Sequence, residues 1–282
     1  MIEKVMAQMV WMVRVLWLVA AVLPNNLVDN LSSHSDALRY TMTAESWLLW
    51  AMVTMALWVH RPISLTVARC IAPVVTLRMV AGLPDADFSV GSVASATCAV
   101  LACMLIFNAD YGSVHVQAGA FGNEKRWLLK VPAPLLLPMM LGWGLLVSVG
   151  SFTPLLLASG HWLTGGIGAV LSGVLLWRVA PQLHRLTLRW LVRVPAGWLM
   201  HDEVVLAENF VVQKTNIVSM GAALASTEAL DLSAMTRGVP IELQLDEMIE
   251  VRLSQFSARM LKTLDVLHVR AFLVAPTRHP QF

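Results

Sequence analysis

An arginine inside an apolar run needs an anion or its equivalent, and this chain has three: Arg14, Arg69 and Arg78. A guanidinium stays charged at ordinary pH and offers a planar fork of donors. Away from water it must therefore find a carboxylate, a phosphate, a backbone carbonyl or a bound water. Arg14 stands nine residues past Val5, about 13 Å along a helix that begins there at about 1.5 Å per residue. No acid is predicted at that depth. The plainer expectation is that the first helix starts later or lies along the inner surface, and that Arg14 snorkels along its own stem to the headgroups. Arg69 and Arg78 flank Pro73, and nine residues of helix turn them about 180° apart. Each is expected to snorkel to its own edge of the bilayer rather than share one site. If there is an anion site approached from the cytoplasm, Arg14 and Arg69 make the better pair, beside a helix whose backbone ladder Pro73 loosens.

A second group of cations, Arg178, Arg185, Arg189 and Arg193, falls within about 80° on a helical wheel, and the last three also share a face of a strand. Next to anionic lipid such residues contribute about 1 kcal/mol each. They read first as a topology determinant and then as a membrane-surface contact.

No catalytic constellation is visible. The histidines, at 34, 60, 115, 161, 184, 201, 268 and 279, are never three or four apart, so no helical metal pair is predicted. Cys70, Cys98 and Cys103 lie in apolar runs and read as small hydrophobes. His201-Asp202 reads as a turn rather than an acid–base pair. His34, Asp36, Asp85 and Asp87 leave room for a weak external cation site, and Asn30-Leu-Ser32 is a chance-length sequon. No phosphate-cradling glycine loop, nucleophile elbow or intramembrane carboxylate pair occurs. No catalytic residue, metal, cofactor or nucleic acid partner is expected.

The elements that position these arginines follow from composition. With 57% hydrophobic and 13% charged residues and a mean hydropathy of +0.67, the chain is far more apolar than a soluble domain, where about a quarter of residues are charged. Crossings need about 20 apolar residues, which predicts helices over Met6–Leu23, Ala44–Val59, Ile63–Leu83, Phe88–Phe107, Pro132–Gly150 and Trp162–Ala180. Ser151–His161 reads as a short hairpin or re-entrant piece. The expectation is a bundle of about six crossings, the first helix retained rather than cleaved as a signal. Trp47, Trp127, Trp162 and Trp177 mark its edges. Asp29, Asp36, Asp85 and Asp87 mark one side. His60-Arg61, Lys125-Arg126, Lys130 and the cations from Arg178 onward mark the other. Positive residues stay inside, so a cell-membrane protein with both termini cytoplasmic is expected. Gly91, Ser92, Ser95, Ala96 and Ala99, like Gly165, Gly168, Ala169, Ser172 and Gly173, are small residues for close helix packing within the chain.

After residue 180 the period changes, dividing the chain into 1–180 and 181–282. Arg189–Arg193, the turn Pro195–Gly197 and Trp198–His201 read as a hairpin. Further strands are predicted over Val204–Leu206, Phe210–Gln213, Ile217–Met220, Ile241–Leu245, Met248–Leu253 and Val266–Val274, with a short helix in Ser257–Leu264.

Arg189–Asp202 followed by Val211-Val-Gln-Lys-Thr-Asn-Ile217 resembles the opening hairpins of bacterial pleckstrin-homology-like domains fused to membrane helices. The whole chain, with Tyr111-Gly112 and Phe121-Gly-Asn-Glu-Lys-Arg126, is similar to a group of actinobacterial integral membrane proteins of no assigned activity. The first resemblance implies a PH-like or partly open barrel after the bundle. The predicted function is a non-enzymatic scaffold or regulator whose cytoplasmic β domain meets a partner protein or the anionic inner leaflet. The alternative is a transporter or lipid-handling protein that uses the intramembrane arginines on an anionic headgroup.

Overall fold

The computed structural model describes residues 2–25, 35–224 and 226–278. Asp29, Asn30, Ser32, His34 and His279 lie outside them. Eight helices and eight strands form among the described residues, and they divide into two compact units.

The first unit, Met1–His115 with Leu141–Pro181, is helical. It contains α1 (Ile2–Val22), α2 (Asp36–Trp58), α3 (Pro62–Ala81), α4 (Val90–Ile106), most of α5 (Ala109–Gln117), and the greater parts of α6 (Ala133–Ala158) and α7 (Trp162–Arg185). Local chemistry sets the starts. Ser35 and Ser89 accept from the backbone N–H of Leu38 and Ser92, satisfying donors that a first turn leaves free, and Pro62 opens α3 where no N–H is needed.

Small and polar side chains let the helices approach. The Ser95 hydroxyl on α4 donates to Ala20 O on α1 at 2.6 Å, and the Trp17 indole donates to Thr54 Oγ1 on α2 at 3.1 Å. Trp143 Nε1 on α6 reaches Cys70 O on α3 at 2.9 Å. Between α6 and α7, a Cβ added at Gly165 would lie 2.5 Å from Leu157, and one at Gly168 would lie 2.5 Å from Thr153 Oγ1. A larger residue at either position would force Leu157 or Thr153 to shift.

Three helices, α3, α6 and α7, are long and apolar enough to cross a membrane, and the α4–α5 pair, bent by 60°, makes a fourth if counted as one span. The expected count of six is thereby corrected. α1 opens with Glu3 and Lys4, α2 dilutes its apolar run with Thr41, Thr43, Glu45 and Ser46, and neither is among the helices long and apolar enough to cross. The piece expected to re-enter at Ser151 is instead a continuation of α6 to Ala158, because an apolar segment satisfies its backbone most readily by staying helical.

The second unit joins Val116–Met140 to Gln182–Phe282, so it also takes in a linker counted by sequence with the bundle. Its first sheet is antiparallel in the order β1 (Lys125–Leu128), β2 (Arg189–Val194), β3 (Gly197–Asp202), β4 (Phe210–Gln213). The second contains β5 (Ile217–Ala222), β7 (Ile241–Arg252), β8 (Val266–Val274) and the short β6 (Leu230–Asp231), in that spatial order. The helix α8 (Gln255–Leu261), capped by Ser254, links β7 to β8. Pro195 and Ala196 form the whole connection between β2 and β3, and Gly197 is required after them because a Cβ there would lie 2.0 Å from Val212 O.

Alternation along β7 buries Ile241, Leu243, Leu245 and Val251. These meet Leu191, Met200 and Val212 of the first sheet and Phe272 of β8 in one apolar core, with the Phe210 and Phe272 rings edge-on at 5.3 Å. Both sheets stay open, so no closed barrel forms. The closed form of the expected pleckstrin-like barrel is thereby corrected to two open sheets, and the last helix among the described residues, α8, has 7 residues. Val204–Leu206, expected as a strand, is a turn held to β7's end by a single bridge from Leu206 to Leu253.

Candidate functional site

Arg14 does not snorkel. It is buried, 8% exposed, where α1 passes the end of α2. Its Nε donates to Leu57 O at 3.1 Å, and its Nη2 faces His60 Nε2 at 3.4 Å. Its guanidinium carbon lies 4.4 Å from the Trp58 ring and 4.9 Å from the Trp11 ring, and the two indoles meet edge to face at 5.8 Å. Aromatic faces and one carbonyl thus replace part of the lost hydration of the charge.

Arg69 on α3 donates from Nε to Ile106 O at 3.3 Å, at the end of α4, with its guanidinium 5.8 Å from the Phe107 ring. The chain turns there. Asn108 Oδ1 accepts from Asp110 N at 2.9 Å and opens α5, which carries Tyr111 and His115. Their spacing of four puts them on one helix face, their rings are 4.7 Å apart, and both are fully buried. The His60 and His115 rings are 5.1 Å apart. Arg14 thus reaches Tyr111 and His115 through the His60 ring, and Arg69 is bonded to the carbonyl of Ile106, five residues before Tyr111, so both arginines border one polar cluster of the helical unit.

The cluster is unbalanced. Tyr111 Oη and His115 Nε2 are buried with no hydrogen-bond partner, and among the described residues neither Arg14 nor Arg69 has a carboxylate within ion-pair distance. Most buried polar groups in proteins are satisfied. An unpaired Tyr111 hydroxyl donor and two uncompensated cations together suit an anion. His60, in the turn between α2 and α3, has its pKa lowered by burial first and by Arg14 second.

Arg78 belongs elsewhere. Its Nη2 pairs with Glu45 Oε1 at 2.6 Å and its Nη1 donates to Ser46 Oγ at 3.3 Å, so the expectation that it snorkels freely gives way to an ion pair between α2 and α3. Arg178, Arg185 and Arg193 are exposed, as a surface contact requires. Arg189 is not: it is buried at 1% exposure, and its guanidinium grips Asp202. Trp127, expected at a membrane edge, sits in β1 with its ring 5.4 Å from Trp198. Among the described residues no three His, Cys, Asp or Glu side chains gather as metal ligands.

Sequence reasoning found Arg14 and Arg69 but missed Tyr111, His115 and His60 as their company. The available signal was the Tyr-x-x-x-His spacing after a helix-capping Asn108.

The chain matches no family model, no curated protein and no solved structure. What stands is the coarser description, a helical N-terminal region with three to four apolar helices followed by a β-rich C-terminal region.

Proposed function

We propose that this chain is a multi-pass membrane protein that binds an anionic group, a lipid headgroup or a small anion, in order to transport or handle it. One observation carries this reading: Arg14, through His60, and Arg69, at Ile106 O, border the unpartnered Tyr111 hydroxyl and His115 ring nitrogen with no carboxylate paired to either arginine among the described residues. An anion there would offset two buried charges at once, and a ligand that binds only the folded chain stabilises it.

Strand pairing supports a topology. Because β1 hydrogen-bonds to β2, the linker before α6 and the chain after α7 belong to one compartment, so α6 and α7 run out and back. With α3 and the bent α4–α5 pair as the other crossings, Arg61, Lys125, Arg126, Lys130 and Arg193 share that compartment, while Asp85 and Asp87 face the other. Positive residues stay inside, so that side is the cytoplasm and both termini are assigned to it.

A second reading keeps the scaffold or regulator role. In it the β-rich unit meets a partner protein or the inner leaflet through Arg178, Arg185 and Arg193. It is favoured by the exposure of all three and by the absence, among the described residues, of a carboxylate paired to any of them. The test compares Arg14→Ala and Arg69→Ala with Arg185→Ala plus Arg193→Ala for retention of anionic lipid by the purified full chain. Loss confined to the first two variants supports the anion site, whereas loss confined to the surface pair supports the second reading.

A further inference from the structure

The ligand's chemistry is readable from which ring nitrogen of each histidine carries a proton. His115 Nδ1 lies 3.0 Å from Tyr111 O, and a carbonyl only accepts, so Nδ1 holds the hydrogen. In a neutral imidazole the other nitrogen is then an acceptor. An imidazolium would add a third buried cation with no carboxylate beside it. His60 follows the same logic: its Nε2 faces Arg14 Nη2, which can only donate, so Nε2 is the acceptor there. The cluster therefore offers guanidinium donors and a Tyr111 hydroxyl together with one buried, unused acceptor at His115 Nε2. An anion that only accepts satisfies the donors and sets its lone pairs against that nitrogen.

We infer that the site takes a protonated oxyanion of the phosphate class: a phosphate monoester headgroup, or free inorganic phosphate, that keeps one O–H. Its oxygens accept from Arg14 and Arg69, and its hydroxyl donates to His115 Nε2. Tyr111 Oη completes the set as a donor to the remaining oxygen. A phosphodiester has no hydroxyl on phosphorus, and sulfate has none near neutral pH, so both are selected against. This inference rests on the anion-binding reading above and narrows it.

The test uses the full chain in nanodiscs at about pH 6, close to the second ionisation of a phosphate monoester. Inorganic phosphate and sulfate are titrated by calorimetry, and discs containing phosphatidic acid are compared with discs containing phosphatidylglycerol by thermal stability. Phosphate is expected to bind at least about ten-fold more tightly than sulfate, although sulfate carries more charge, because only phosphate makes the extra buried hydrogen bond. Stabilisation by phosphatidic acid but not by phosphatidylglycerol assigns the source to lipid, and selective binding of inorganic phosphate alone assigns it to a free ion. His115→Phe should weaken phosphate about ten-fold and leave sulfate unchanged, whereas Tyr111→Phe, which removes a donor that either anion can use, should weaken both; if His115→Phe does not fold, the phosphate-to-sulfate ratio in the unmodified chain decides. Equal binding of phosphate and sulfate, or stabilisation of equal and non-zero size by the two lipids, overturns the phosphate assignment and leaves anion binding standing. Binding of neither ion and neither lipid overturns both.

Discussion

Arg189 and Asp202 face each other across the β2–β3 hairpin as a buried bidentate pair, with Nε 2.9 Å from each carboxylate oxygen and Nη2 2.8 Å from Oδ2. Asp202 Oδ1 also accepts from the backbone N–H of Val204 and Val205, at 3.0 and 3.1 Å, while Arg189 Nη1 donates to Lys130 O. One ion pair thus ties the turn after β3 to the linker between β1 and α6. Removing one partner strands the other charge in the core. Asp202→Ala is expected to cost about 3–5 kcal/mol, read as a lowered melting temperature of the purified full chain. A melting temperature equal to that of the unmodified chain would show that the pair is not buried as described.

The contribution of β1 gives a second prediction. A fragment starting at Gln182 lacks the strand that covers β2 and the Lys130 carbonyl that Arg189 uses. An uncovered edge with unpaired N–H and C=O groups invites association. That fragment should aggregate on expression, and adding residues 121–131 through a flexible linker should restore a soluble monomer by size-exclusion chromatography. Equal solubility of the two would show that β1 is dispensable.

His60 sets a pH dependence. Burial and the nearby Arg14 hold its pKa below the ordinary value, which is about 6.5 in the unfolded chain. As pH falls through about 6.5 the unfolded state takes up a proton that the folded state resists. The contribution is therefore present above that pH and is lost below it. The groups facing His60 are Arg14 and His115, and Arg69 acts on the same cluster. The melting temperature should fall on acidification from neutral pH, and His60→Gln should flatten the slope; an unchanged slope in His60→Gln contradicts the assignment.

The α6–α7 hairpin gives a fourth. An added Cβ at Gly168 meets Thr153 Oγ1, whereas one at Gly166 meets nothing within 4 Å. Gly168→Val should lower the melting temperature of the full chain by several degrees, through about 1–3 kcal/mol of overpacking. Gly166→Val is expected to leave it nearly unchanged. Equal effects at the two positions would show that the helices do not pack through Gly168.

The strands of the second unit were largely readable, because period-two alternation and turn chemistry are local. Phe210–Gln213 and Val266–Val274 have the limits expected, and the Pro195-Ala196 turn joins the hairpin as read. What escaped was non-local. Lys125–Leu128 is too short and too cationic to read as a strand until β2 supplies its partner. Arg189 carries nothing in its neighbours to separate it from the exposed Arg185 and Arg193, since its fate is set by Asp202 and by a carbonyl 59 residues away. The crossing count failed in α2, where Thr41, Thr43, Glu45 and Ser46 dilute the apolar run, and in α1, whose first turn carries Glu3 and Lys4. Arg14 and Arg69 stood out in sequence as cations in apolar runs, but the three polar residues around them come from α5 and an interhelical turn that composition alone treats as loop.

The central claim is that Arg14 and Arg69 hold one anion between them. Equilibrium binding of radiolabelled phosphate to the full chain in nanodiscs tests it most directly, with Arg14→Met and Arg69→Met beside the unmodified protein. One saturable site per chain is expected, lost in either variant while both variants melt at or above the temperature of the unmodified chain, because an apolar residue of similar length relieves a buried charge. Saturable binding that persists in both variants would contradict the account.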